Sequence, residues 1–259
     1  MEFAAIVAGF FTGLIVGMTG VGGGAIMTPI LILLLGIAPS TAVGTDLLFA
    51  TVTKLVAVKV HGSRGTIDWQ VVRRMAVGSI PAACLTLLLM YQLSASREAG
   101  KVIMPALGIA LMVTAVAMIF RTTLHGVGKR WRVGTPEAFK RAQPGLTVLA
   151  GVALGIMVTM TSIGAGALGT VMLVYLYPLR LTPAKLVGTD LAHAIPVALV
   201  AGLGHLALGN VDFGLLGWLL LGSLPGVWIG SHLSAKAPDK IVRNAIAVIL
   251  LIVGARILA

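Results

Sequence analysis

The sequence has a single cysteine, Cys84, so no intrachain disulfide organises its fold. It is also poor in charge. Charged residues make up 10% of its 259 residues, against roughly 25% in a soluble globular domain. Acidic residues are the scarcest of these, 8 against 19 lysines and arginines, for a formal net charge of +11. On a soluble chain a basic surplus would suit nucleic acid. On a chain that is 58% hydrophobic it fits cytoplasmic loops between membrane spans, and no nucleic-acid partner is expected. Cys84 lies inside an apolar run and reads as a small buried residue.

The missing charges leave long uncharged runs: Met75–Ser96, Val102–Phe120, Ala142–Leu179 and Phe213–Ala235. Each reaches the roughly 18 residues that a membrane-crossing helix needs. A signal peptide would be one short segment near the N-terminus, whereas apolar segments recur to the C-terminus. The chain reads as an all-α polytopic membrane protein.

Shifted against itself by 144 residues, the chain superimposes Gly44-Thr45-Asp46-Leu47 on Gly188-Thr189-Asp190-Leu191. Without gaps, the same shift pairs Gly20 with Gly164, Gly22 with Gly166, Pro39 with Pro183, His61 with His205, Asp68 with Asp212, and Gly78-Ser79 with Gly222-Ser223. The chain is therefore a duplication: a first transmembrane repeat over residues 1–120, a basic linker over 121–143 and a second repeat over 144–259. Five hydrophobic segments are expected in each half, near 3–19, 21–36, 40–60, 71–92 and 102–120, then near 145–162, 165–179, 184–205, 214–234 and 241–258. An odd number of crossings per half inverts the second repeat relative to the first.

Lysine and arginine choose the orientation. With the N-terminus outside, fifteen fall inside: Lys59, Arg64, Arg73, Arg74, the six of the linker from Arg121 to Arg141, Arg180, Lys185, Lys236, Lys240 and Arg243. Only Arg97, Lys101 and Arg256 fall outside. The positive-inside rule predicts periplasmic N- and C-termini and a cytoplasmic linker. The segments meeting at Thr19–Gly24 and at Thr161–Gly166 are short, about 25 Å each. They form either pairs of short spans or re-entrant hairpins that turn within the membrane at Gly-rich breaks.

Two duplicated features place polar chemistry at membrane depth. The turns carry Thr19, Gly20, Gly22 and Gly23 in the first half and Thr161, Ser162, Gly164 and Gly166 in the second. They precede helix N-termini, where free N–H groups and the helix dipole favour an anion; close packing of helices is the other use of such glycines. The GTDL boxes carry Thr45 with Asp46 and Thr189 with Asp190, on helices predicted to start at Pro39 and Pro183. Carboxylates in that setting mark ion paths, proton relays or buried pairs, or cap backbone at a helix break. Lys54, about 22 Å along the first helix, falls at the depth of Asp190, about 10 Å along the oppositely directed one. It pairs with Asp190, faces a transported anion or snorkels to the headgroups. His193, one turn after Asp190, is a proton relay or a core histidine. Asp68 and Asp212 read as N-caps. No His, Cys, Asp or Glu grouping has metal-ligand spacing, so no metal, cofactor or enzymatic activity is expected.

A glycine-rich turn, a helix with "VGTDL" and a histidine ahead of "G-x-x-D-aromatic", all present twice, resemble the TauE/SafE sulfite exporter family over nearly the whole chain. The resemblance implies transport of small sulfur-containing or organic anions across the bacterial inner membrane. Joined to the inverted repeat, it predicts a secondary transporter working by alternating access. Asp46, Asp190 and His193 are the candidates for proton or ion coupling. Lys54, Thr45, Thr189 and the two turns are the candidates for holding the anion. An anion channel is the alternative. The expected partners are a small anionic substrate and the lipid bilayer, and a homodimer is possible.

Overall fold

The structure, a computed structural model, describes residues 2–19, 24–62, 65–94, 99–134, 136–164, 166, 168–233 and 239–258. They form eleven helices: α1 (Glu2–Thr19), α2 (Gly24–Leu33), α3 (Pro39–Gly62), α4 (Trp69–Ser94), α5 (Ala99–Ile119), α6 (Arg121–Gly134), α7 (Pro136–Thr161), α8 (Leu168–Leu176), α9 (Pro183–Ala207), α10 (Phe213–Leu233) and α11 (Asp239–Leu258). Five of them, α3, α4, α7, α9 and α10, are long and apolar enough to cross a bilayer, and the pair α5–α6, bent by 66°, makes a sixth candidate. The all-helical membrane fold expected from the sequence is what the chain adopts.

Local chemistry sets the helix starts. α3 and α9 open on Pro39 and Pro183, whose missing N–H costs nothing in a first turn. The Thr182 side chain accepts the Lys185 N–H ahead of α9. Asp68 caps α4 by accepting the Val71 N–H at 3.3 Å, and Asp212 caps α10 by accepting the Leu215 N–H at 2.9 Å, as predicted. Within the spans, threonine hydroxyls bond back one turn: Thr51 to the Leu47 carbonyl, Thr86 to Ala82 and Thr159 to Gly155. The hydrogens of these three hydroxyls are then not left facing hydrocarbon.

Packing depends on small residues. α1 lies on α10 and α4 lies on α7. A Cβ at Gly9 would strike the Leu219 carbonyl, one at Gly222 the Ile6 carbonyl, one at Gly78 the Val148 carbonyl and one at Gly151 the Met75 carbonyl. Backbones meet this closely where lipid supplies no hydrophobic drive between helices. α5 packs on α11, and α3 on α9. The last two run antiparallel, because Gly44 near the start of α3 rests on the Asn210 carbonyl beyond the end of α9, and Gly188 rests on the Thr66 carbonyl beyond the end of α3. Ile26, Leu47, Leu111, Ile163, Val197 and Leu250 meet in a shared core. Outward faces stay apolar, with Leu85, Leu88, Leu221 and Ile252 exposed as a lipid-facing surface requires. Cys84 belongs to that outer face and is not buried as the sequence suggested. The inward stripe of α4 is taken by Ser79, Ala82 and Ala83.

The structure also sharpens the short segments. α2 has 10 residues and α8 has 9, so each is about 15 Å long, half a bilayer. α8 doubles back along α7: Gln143 donates to the Leu176 carbonyl at 2.6 Å, and the Thr147 and Tyr177 hydroxyls pair at 2.8 Å. In the second half the short helix thus returns beside a helix of bilayer length. The predicted linker is also more ordered than a connection: α6 fills most of it and packs on α7 and α8, and α7 starts inside it at Pro136.

Candidate functional site

The two GTDL boxes divide their labour residue by residue. Glycine lets α3 and α9 approach the opposite loops, as above. Threonine then locks the contact: Thr189 Oγ1 accepts the Asp68 N–H at 3.0 Å, and Thr45 Oγ1 accepts the Asp212 N–H at 3.0 Å. These hydroxyls, assigned from sequence to the substrate, are engaged in holding α4 and α10. Aspartate faces the interior.

Asp46 and Asp190 have 0% relative exposure, as does His193, and Lys54 has 1%. The Thr28 hydroxyl on α2 donates to Asp46 Oδ2 at 2.5 Å. Among the described residues no side-chain hydroxyl plays that part for Asp190. Its Oδ1 lies where a Cβ of Gly169 would be, over the first turn of α8, with the Gly166 amide close by. The helix N-terminus that sequence analysis reserved for an anion is thus occupied by a carboxylate of the chain itself.

Lys54 acts electrostatically on both carboxylates and on His193. Arg121, at the start of α6, acts on Asp190 as well. His193 follows Asp190 on the same face of α9, and its Nε2 pairs with the Ser79 hydroxyl of α4 at 2.9 Å.

The second turn is tightly built. Thr161 Oγ1 donates to the Met157 and Ile163 carbonyls and accepts the Ile163 N–H. Ser162 sits at φ 57°, a left-handed conformation uncommon for serine. Its hydroxyl is buried beside the Asp46 carboxylate, on which it acts. Gly166 at φ 108° and Gly164 at φ 154° complete the turn. Gly20, Gly22, Gly23 and the Thr19 side chain lie outside the described residues.

Sequence reasoning had not singled out Thr28, Ser79 or Arg121. Only Ser79 left a trace, in the duplicated Gly-Ser pair before Pro81 and Pro225. Among the described residues, no three His, Cys, Asp or Glu side chains converge as metal ligands. The cluster's chemistry is that of charge: two carboxylates and one ammonium, enclosed in an apolar core.

Bilayer-length helices around such an enclosed charged cluster define a membrane transporter. The chain matches the family described as "Sulfite exporter TauE/SafE" over residues 5–257, and it belongs to that family. It is 40% identical to the probable membrane transporter protein YjnA of Bacillus subtilis (strain 168), with 100% of both chains covered. It is 27% identical to YdhB of the same strain over 92% of each chain, and 23% identical to YunE over 96% of this chain and 92% of that one; both are also named as probable membrane transporter proteins. No solved structure matches the chain.

Proposed function

We propose that the chain is a secondary carrier of a small anion, of the sulfite, sulfonate or related organic-anion class, working by alternating access in the inner membrane with proton coupling at Asp190. The observation that carries this reading is the seat of the Asp190 carboxylate. It holds the N-terminus of α8, within the fields of Lys54 and Arg121, where a substrate anion would be most stable. Two negative groups cannot share that place. Once Asp190 takes up a proton, the helix terminus and the ammonium are released to the substrate, so proton and anion move together. Ser162, its hydroxyl buried beside Asp46, supplies a further donor. His193, one turn after Asp190 on α9, pairs through Nε2 with the Ser79 hydroxyl of α4.

The antiparallel pair α3–α9 and the two crossed glycine contacts support an inverted-repeat carrier. The basic residues support periplasmic termini and a cytoplasmic linker: Arg180 bonds Asp68 at 2.7 Å and 3.0 Å, at the end of the bundle where α4 and α9 begin and α6 lies. The test is counterflow in proteoliposomes with labelled sulfite, thiosulfate and simple sulfonates. A carrier exchanges label against unlabelled anion, and an inward proton gradient accelerates net uptake. Asp190→Asn is expected to keep exchange and lose the response to the gradient. Net flux without exchange would show a channel. A gradient response that survives in Asp190→Asn would place coupling elsewhere.

A further inference from the structure

A cavity of about 500 Å³ opens between the linker helix and the start of α9, lined by Arg121, Thr122 and His125 of α6 and by Val174, Pro183 and Leu186. We infer that this cavity is the linker-side vestibule of the transporter, where Arg121, Thr122 and His125 bind the anion before it reaches Lys54 and Asp190. The inference rests on the transport reading above and adds to it a second, outer anion site.

Placement comes first. Leu186 sits one helical turn before Asp190 on α9, so the cavity points at the buried cluster. Arg121 links the two, since it lines the cavity and acts on the Asp190 carboxylate. Chemistry comes second. A guanidinium, a hydroxyl and an imidazole converge on one space, and no acidic side chain is among the lining residues. The His125 Nδ1 is enclosed with no hydrogen-bond partner, which leaves a ring nitrogen for a ligand or its water. Such a set suits an oxyanion, with several acceptor oxygens to receive N–H and O–H donors. Asymmetry comes third. α6 lies between the repeats and has no counterpart in the duplication, so this site exists at one end of the transporter only. An anion is then gathered more effectively from the linker side.

The site can be tested without knowing the substrate. Cys84 is the only thiol, so Cys84→Ala gives a clean background for His125→Cys and, as a second probe, Thr122→Cys. Vesicles exposing the linker side are treated with two thiosulfonate reagents of matched size, one ending in a sulfonate and one in a trimethylammonium group. Each rate is divided by that reagent's rate on a free thiol in solution. The anionic reagent is then expected to react about tenfold faster at both positions, because a charged cleft concentrates its counter-ion. Arg121→Gln should bring the ratio near one. Equal rates for the two reagents, or a preference untouched by Arg121→Gln, would overturn the vestibule even if transport is found. A preference abolished by Arg121→Gln stands even if no transported anion has been identified. With a transported anion in hand, Arg121→Gln should raise KM severalfold from the linker side alone. An equal rise from both sides would assign Arg121 to the central cluster and remove the outer site.

Discussion

The Thr189 hydroxyl accepts the backbone N–H of Asp68 at 3.0 Å, across 121 residues of chain. The Thr45 hydroxyl does the same for Asp212 at 3.0 Å. Each bond satisfies an amide at the start of a spanning helix, so losing the acceptor leaves a partly buried donor bare. Thr189→Val and Thr45→Val are each expected to cost about 1–3 kcal/mol of stability, and serine at either position should restore most of it. Thermal unfolding of the purified variants in one detergent checks this. Valine variants as stable as the parent would show that the two contacts carry no weight.

Lys54 and Asp190 should be coupled. Lys54→Met leaves two buried carboxylates without their shared cation, which costs about 3–5 kcal/mol when one partner of a buried pair is lost. Adding Asp190→Asn removes one of those charges and should recover part of the loss. Stability measured for the two single variants and the double variant gives the interaction energy directly. Strict additivity would assign Lys54 to the anion alone.

Gly169 should tolerate nothing larger. A Cβ there would displace Asp190 Oδ1, so Gly169→Ala is expected to abolish proton-driven uptake while the protein still inserts. Gly166→Val should fail as well, because valine avoids the φ of 108° found there. Gly145→Ala has open space around its Cβ and should transport normally. Uptake assays normalised to membrane-inserted protein compare the three. Normal uptake by Gly169→Ala would mean that Asp190 does not use the α8 terminus.

Reporter fusions after Val133 and at Ala259 address orientation. Activity specific to the cytoplasm is expected at the first and periplasmic activity at the second. Both reporters on one side would end the inverted-repeat reading, since an odd number of crossings in the second half requires opposite sides.

Much of this architecture is legible in one dimension. Pro39, Pro183, Asp68 and Asp212 announce their helix starts through local chemistry, and Lys54, singled out as a charge inside an apolar helix, is buried. The half-length of α8 is not legible, because Tyr177 to Leu179 continues an apolar run after the helix has ended at Leu176. Hydropathy reports what surrounds a residue and is blind to where a hairpin turns. Thr28 on Asp46 and Ser79 on His193 were hidden for another reason. Those contacts depend on the rotation of one helix against another, which the glycine interfaces set and which no spacing within a single helix encodes. Cys84 shows the converse: in a membrane, an apolar neighbourhood in sequence does not distinguish a core position from a lipid-facing one.

The crossed packing of α1 on α10 and of α4 on α7 has a historical implication. Each half of the chain presents a glycine-lined helix whose mate lies in the other half, so neither half can complete its own interior. On the inverted-repeat reading proposed above, an ancestor of half the length would have met that need on a second copy of itself, inserted upside down in the same membrane. Joining two such copies end to end requires a connection whose ends both lie on one side. On that reading α6 is the bridge, the one helix among the described residues without a counterpart in the other half.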